Sequence, residues 1–259
     1  MILNIFFGVV VNAARGVANQ VNGVIQQFVS NFMMALNPQI TKSYAAGDKD
    51  YSFALACRGA RFSFFIMYLL ALPVMLEANY ILHLWLGTPP EQAAEFFVWT
   101  VISSLIMLLG NTLVTLQNAH GDIRHYQLWI TFWGYFPFPL TWLAFYFGAP
   151  AVWAFIIYII VYWILLFVRY YLVHQSTGIP AKQYLGGVIL KCHIVGIVSA
   201  IIPLFIRFTM EEAFLRLVIV GIVSVAVSAA VIYFYGMERG EQQMVLKATN
   251  KAISKFHKS

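Results

Sequence analysis

Residues 12–36 read NAARGVANQVNGVIQQFVSNFMMAL. Asn12, Arg15, Asn19, Asn22 and Gln26 recur at intervals of three and four, which puts five polar side chains on one face of a helix. Val17, Val21, Val24, Ile25, Phe28 and Val29 cover most of the remaining surface, and Gln20, Gln27 and Asn31 flank the column. The stretch is long enough to cross a bilayer, because a spanning helix needs about 20 largely apolar residues. A helix in lipid carries an arginine and a column of amides where something polar faces them. Two readings of the column follow. It lines a water-filled cavity, or it supplies hydrogen bonds that join the helix to its neighbours. Arg15 likewise either meets a polar solute or snorkels toward the outer interface.

The rest of the chain has the same character. Sixty-one per cent of the residues are hydrophobic, 10% are charged and mean hydropathy is +0.76. A soluble domain carries about 25% charged residues. Aromatic Trp85, Trp99, Trp129, Tyr170 and Tyr171 fall near the ends of apolar runs, as interfacial anchors do. Met1 leads into apolar sequence without a basic leader, so no cleavable signal peptide is expected. Cys57 and Cys192 read as small apolar fillers rather than as a disulfide. The net charge of +6 does not point to nucleic acid, because the basic residues are dispersed at helix ends.

The apolar pattern predicts spans over 12–36, 60–86, 94–117, 128–147, 151–172, 186–206 and 216–236, with residues 1–11 as the end of an earlier span. Turn formers separate them: Asn37-Pro38, Gly47-Asp48, Gly87-Thr88-Pro89-Pro90, Gly121-Asp122, Gly148-Ala149-Pro150 and Gly178-Ile179-Pro180. Pro38 is expected to perturb the first helix at its end, Gly47 to adopt positive φ and Asp48 to cap the next helix. No segment keeps the period-two alternation of a barrel strand over its length. The expected fold is therefore an all-α integral membrane protein, a polytopic helical bundle of about seven spans. Alternate connectors collect Lys42, Lys49, Arg58, Arg61, Arg124, Arg169 and Lys182, whereas the others hold Arg207 and Arg216. Positive residues mark the inner side, which makes the C-terminus cytoplasmic. In the tail, 237–259, Leu246, Thr249, Ile253 and Phe256 share a face, with Lys247, Lys251, Lys255 and Lys258 around the other side. That pattern suits a helix lying on an anionic leaflet.

Other polar residues within or near the spans were weighed in the same way. Glu77 follows Pro73 and either couples transport to protons or marks the outer water boundary. Lys191 either snorkels from the start of its span or takes part in coupling. Asn111, Gln117 and Asn118 would line an inner mouth or simply end a helix. His120 and His125 flank a Gly-Asp turn and read as solvated, not as metal ligands. No phosphate-cradling glycine motif or metal-ligand spacing occurs, so no metal, ATP or other cofactor is expected.

Three pieces carry a family resemblance: NAARG at 12–16, NPQITKSYAAGD at 37–48 and LEANYILHLWLG at 76–87, with NAHGDIRHYQ at 118–127 similar as well. The chain resembles the bacterial oligosaccharide flippases of the polysaccharide-export branch of the MOP (MATE-like) superfamily, especially lipopolysaccharide-biosynthesis membrane proteins. The resemblance covers most of the chain and corresponds to the second lobe plus the last two spans. It implies that a first lobe is missing, so the chain is either a fragment or a half that pairs with another chain or a second copy. It also implies a function: moving undecaprenyl-pyrophosphate-linked oligosaccharide across the inner membrane by alternating access, for lipopolysaccharide, O-antigen or capsule. Amides would then meet glycan hydroxyls as donors and acceptors, and Arg15 would grip the diphosphate.

Three alternatives stand beside this expectation. One is a cation-coupled multidrug exporter of the same superfamily, disfavoured by the scarcity of acids in the spans. Another is a polysaccharide-processing membrane enzyme, disfavoured by short outer connectors without a plausible catalytic constellation. The last is an inactive fragment.

Overall fold

Helix α1 runs Ile2–Ala45 and is followed by α2 (Lys49–Leu76), α3 (Ala78–Leu86), α4 (Ala93–His120), α5 (Arg124–Tyr135), α6 (Pro137–Tyr146) and α7 (Trp153–Thr177). Two long helices with π-helical stretches, α8 (Lys182–Thr209) and α9 (Phe214–Gly236), and the C-terminal α10 (Arg239–Phe256) complete the chain. The computed structural model describes residues 2–256, with side chains to Lys247. Six helices (α1, α2, α4, α7, α8 and α9) are long and apolar enough to cross a membrane. Large apolar side chains such as Phe205, Phe208, Phe234 and Ile222 are exposed on their outer faces.

α4 is the hub. Two thirds (67%) of its most apolar stretch is buried, against 17% for α1. α1, α2 and α7 pack around it, α8 and α9 pack on α2, and α5 and α6 pack on α7. Small residues permit the close approaches. Ser224 and Ser228 of α9 are buried a turn apart, as is Ser199 of α8, in keeping with tight helix contacts in membranes. Gly59 of α2 lies against Leu36 of α1 and Thr112 of α4, and a Cβ there would overlap Leu36 Cδ2 and sit 3.1 Å from Thr112 Cγ2. Gly59→Val is therefore expected to cost about 1–3 kcal/mol through overpacking. A melting temperature equal to that of the parent would show that α1 can move aside.

Several boundaries differ from the sequence expectation. The split at residue 11 gives way to one 44-residue helix broken at Gly8, whose φ of 80° is outside the helical region. Positive φ costs glycine little, so the break falls where the backbone tolerates it. Pro38 does not end α1. Gln39 Nε2 donates to Ala35 O at 3.2 Å and Thr41 Oγ1 to Asn37 O at 3.2 Å, so side chains occupy carbonyls near the proline. At the next turn Gly47 has φ 84° and Asp48 caps α2 by accepting from Tyr51 N–H at 3.2 Å, both as expected.

The span expected over 60–86 begins at Lys49 and is divided at Glu77, where α2 stops and α3 starts. Its first turns looked like a polar connector, yet Phe53, Leu55, Ala56 and Cys57 are buried there. The stretch expected over 128–147 is likewise two helices, because Pro137 and Pro139 lack the N–H groups that would continue α5. Neither half alone is among the helices long enough to cross. The tail is helical over Arg239–Phe256, but the side chains of Thr249, Ile253 and Phe256 on the expected amphipathic face, and of Lys251, Lys255 and Lys258, lie outside those described.

Candidate functional site: a polar cleft between α1, α4 and α7

The buried face of α1 consists of Ala14, Ala18, Asn22, Ile25, Val29 and Met33, which seat the helix on α4. The predicted polar column runs along the edge of this face, and the structure divides it. Asn22, only 7% exposed, donates from Nδ2 to Ser104 Oγ at 3.1 Å, and Gln26 Nε2 donates to the same oxygen at 2.9 Å. These two amides join α1 to α4. Asn12, Asn19, Gln20, Gln27 and Asn31 are exposed, with Gln27 Nε2 donating to Asn31 Oδ1 at 3.3 Å. Arg15 is half-buried.

Arg15, Asn19 and Asn22 line a cleft of about 190 Å³. Its other walls are Thr100, Ser103, Ser104 and Met107 of α4 and Ala154, Phe155, Tyr158 and Tyr162 of α7, with Leu3 at one end. Before the break at Gly8, Phe6 and Phe7 pack against Phe145 of α6 at centroid distances of 5.5 and 4.8 Å, the second edge-on. At about 30 Å³ per molecule the cleft has room for roughly six waters. Thr100 and Ser103 spend their hydroxyl protons on Phe96 O (2.7 Å) and Thr100 O (2.8 Å), so the α4 wall offers mainly acceptor oxygens. Asn22 Oδ1 is buried with no hydrogen-bond partner, an acceptor left open at the cleft.

Three arginines of the bundle are ion-paired. Arg216 of α9 holds both carboxylate oxygens of Glu77, Nε to Oε1 at 2.9 Å and Nη2 to Oε2 at 2.8 Å, and donates to Met210 O at 3.2 Å. Arg61 bonds Glu238 at 2.9 Å and Glu241 at 2.7 Å, and Arg58 bonds Glu241 at 3.0 Å. Arg15 has no carboxylate within ion-pair distance among the described residues. Arg124, Arg169, Arg207 and Arg239 likewise have none among the described residues.

Glu77 is 1% exposed and sits where α2 ends, with both carboxylate oxygens held by Arg216. Lys191 is half-buried on α8 and shares no cavity with Arg15. Gln117 is buried, donating to Asp122 O at 2.6 Å and accepting from Ser176 Oγ at 2.7 Å, while Asn111 is half-buried and Asn118 is exposed. His120 Nδ1 lies 3.1 Å from the Tyr44 hydroxyl, and His125 packs edge-on to Trp129.

The α4 and α7 walls were not anticipated from sequence. Their signal was present as Thr100, Ser103 and Met107 at spacings of three and four, and Tyr158 and Tyr162 one turn apart. Single hydroxyls and tyrosines are ordinary in membrane helices, so the periodicity stood out only once α1 supplied the opposite wall. No family model, curated protein or solved structure matches the chain.

Proposed function

We propose that the chain is the membrane-embedded part of a transporter that moves a diphosphate-linked oligosaccharide lipid across the bacterial inner membrane by alternating access, with its C-terminus cytoplasmic. The observation that carries this reading is Arg15, a guanidinium without a carboxylate partner, in a cleft walled by amides and hydroxyls. Arg15 grips the diphosphate through paired hydrogen bonds, and Asn19 and the open Asn22 Oδ1 meet sugar hydroxyls. The exposed amides Asn12, Gln20, Gln27 and Asn31 extend the polar path toward a partner lobe or a second copy that completes the cavity. The apolar perimeter sits in the lipid bilayer, where the carried lipid keeps its tail. Glu77 is tied to Arg216, which speaks against a cation exporter driven through that acid.

The test is restoration of surface glycan in a bacterium lacking its own flippase, using the complete reading frame that contains this chain. Arg15→Ala is expected to cut export at least tenfold, because a charge-assisted hydrogen bond contributes about 1.5–3 kcal/mol. Export at the parent level would remove Arg15 from the path. Drug efflux without any glycan phenotype would replace the reading itself.

A further inference from the structure

A second cavity lies beside the cleft, on the far side of Tyr162. On α7, Tyr158, Tyr162, Leu165 and Arg169 follow one another at spacings of four, three and four, and so share one face. On α4, Ser103, Met107 and Gly110 do the same. This second cavity, of about 80 Å³, adjoins the first, sharing Met107 and Tyr162 as lining residues, and is also lined by Arg169 and Gly110. Arg169 lies two helical turns, about 10.5 Å, along α7 from Tyr162.

Arg169 differs from the paired arginines of the bundle. It has no carboxylate within ion-pair distance among the described residues, and its Nε is buried without a hydrogen-bond partner. Its guanidinium crosses α4 at Gly110, where a Cβ would lie 2.7 Å from Nη1 and 3.3 Å from Cδ. Only the absent side chain leaves room for it. Tyr162 is close enough to feel the charges of both Arg15 and Arg169, and Tyr126 of α5 that of Arg169. Two guanidiniums without an acid partner among the described residues thus border two adjoining cavities that share Tyr162.

We propose that Arg169, seated in the gap at Gly110, forms a second phosphate-binding position that takes the anionic group of the carried lipid in sequence with Arg15. The naming of a lipid diphosphate rests on the transport reading above; the anion site itself rests on the adjoining cavities. Two positions in sequence let the anion exchange one guanidinium for the next along the helix pair instead of crossing an apolar gap.

The experiment uses the full chain in nanodiscs of uncharged phosphatidylcholine, with inorganic pyrophosphate titrated calorimetrically. The parent should bind saturably, and Arg169→Gln and Arg15→Gln should each weaken binding at least tenfold. Arg169→Lys should recover part of the loss, which a purely packing role for Arg169 would not require. Gly110→Ala keeps the charge but displaces the guanidinium, and should weaken binding even if Arg169→Gln fails to fold. Pyrophosphate binding within twofold of the parent in Gly110→Ala and Arg169→Gln overturns the site, as does a parent protein that binds none. Should binding depend on Arg169 while glycan export is not restored, the flippase reading falls and the anion site stands. Should Arg169→Gln support full export and bind pyrophosphate normally, the site falls and the flippase reading stands.

Discussion

Replacing Glu77 with alanine is expected to lower the unfolding free energy by about 3–5 kcal/mol, the cost of stranding one partner of a buried ion pair. Glu77 is 1% exposed and receives two charge-assisted bonds from Arg216, at 2.9 and 2.8 Å. Its removal leaves Arg216 with Met210 O at 3.2 Å and with Glu212, which is half-exposed at 3.4 Å. Those contacts keep the loss from being larger but do not replace a bidentate carboxylate. The double variant Glu77→Leu, Arg216→Leu should recover much of the stability, because neither charge then has to be desolvated. Thermal melting of the purified protein in detergent reads both effects. A single variant as stable as the parent, or a double variant worse than both singles, would refute this account of the α2–α9 contact.

The second large effect is expected near the middle of α2, at Arg61. Arg61, 3% exposed, bridges Glu238 and Glu241, while Glu241 also accepts from Arg58 and from the backbone N–H of Glu238. That last bond is one half of a capping box, so one carboxylate both starts α10 and pins it to α2. Arg61→Ala is expected to cost about 3 kcal/mol and to release α10, giving faster hydrogen exchange and proteolysis across 239–256. Arg58→Ala should do less, since its side chain is one third exposed and Arg61 still holds Glu241. Unchanged protection of α10 in Arg61→Ala would mean that Arg58–Glu241 and the bond from Gln242 Nε2 to Tyr233 O hold the helix without Arg61.

These two clusters also explain what the charge pattern alone conveyed. Arg58, Arg61 and Arg216 entered the topology argument as positive residues at helix ends. In the fold each is matched by an acid from a distant part of the chain, so each also fastens one helix to another. The matching sets the start of α10 against the middle of α2, and the start of α9 against the end of α2.

By itself the sequence determined the helical, apolar architecture, the turns at Gly47, Gly87, Gly121, Gly148 and Gly178, and a polar face on α1 beginning at Asn12. These are local properties, set by periodicity, by the backbone freedom of glycine and by the demand that apolar spans bond their own backbones. Only the tertiary structure decided which polar residues are spent and which are free. The amide nitrogens of Asn22 and Gln26 are taken up by Ser104, 82 and 78 residues away, Glu77 by Arg216, 139 away, and Arg61 by Glu241, 180 away, whereas Arg15 and Arg169 meet no acid among the described residues. A charge in an apolar bundle is neutral in its effect or poised for a ligand according to what the packing brings against it, and that partner is chosen by the fold rather than by the neighbours in sequence.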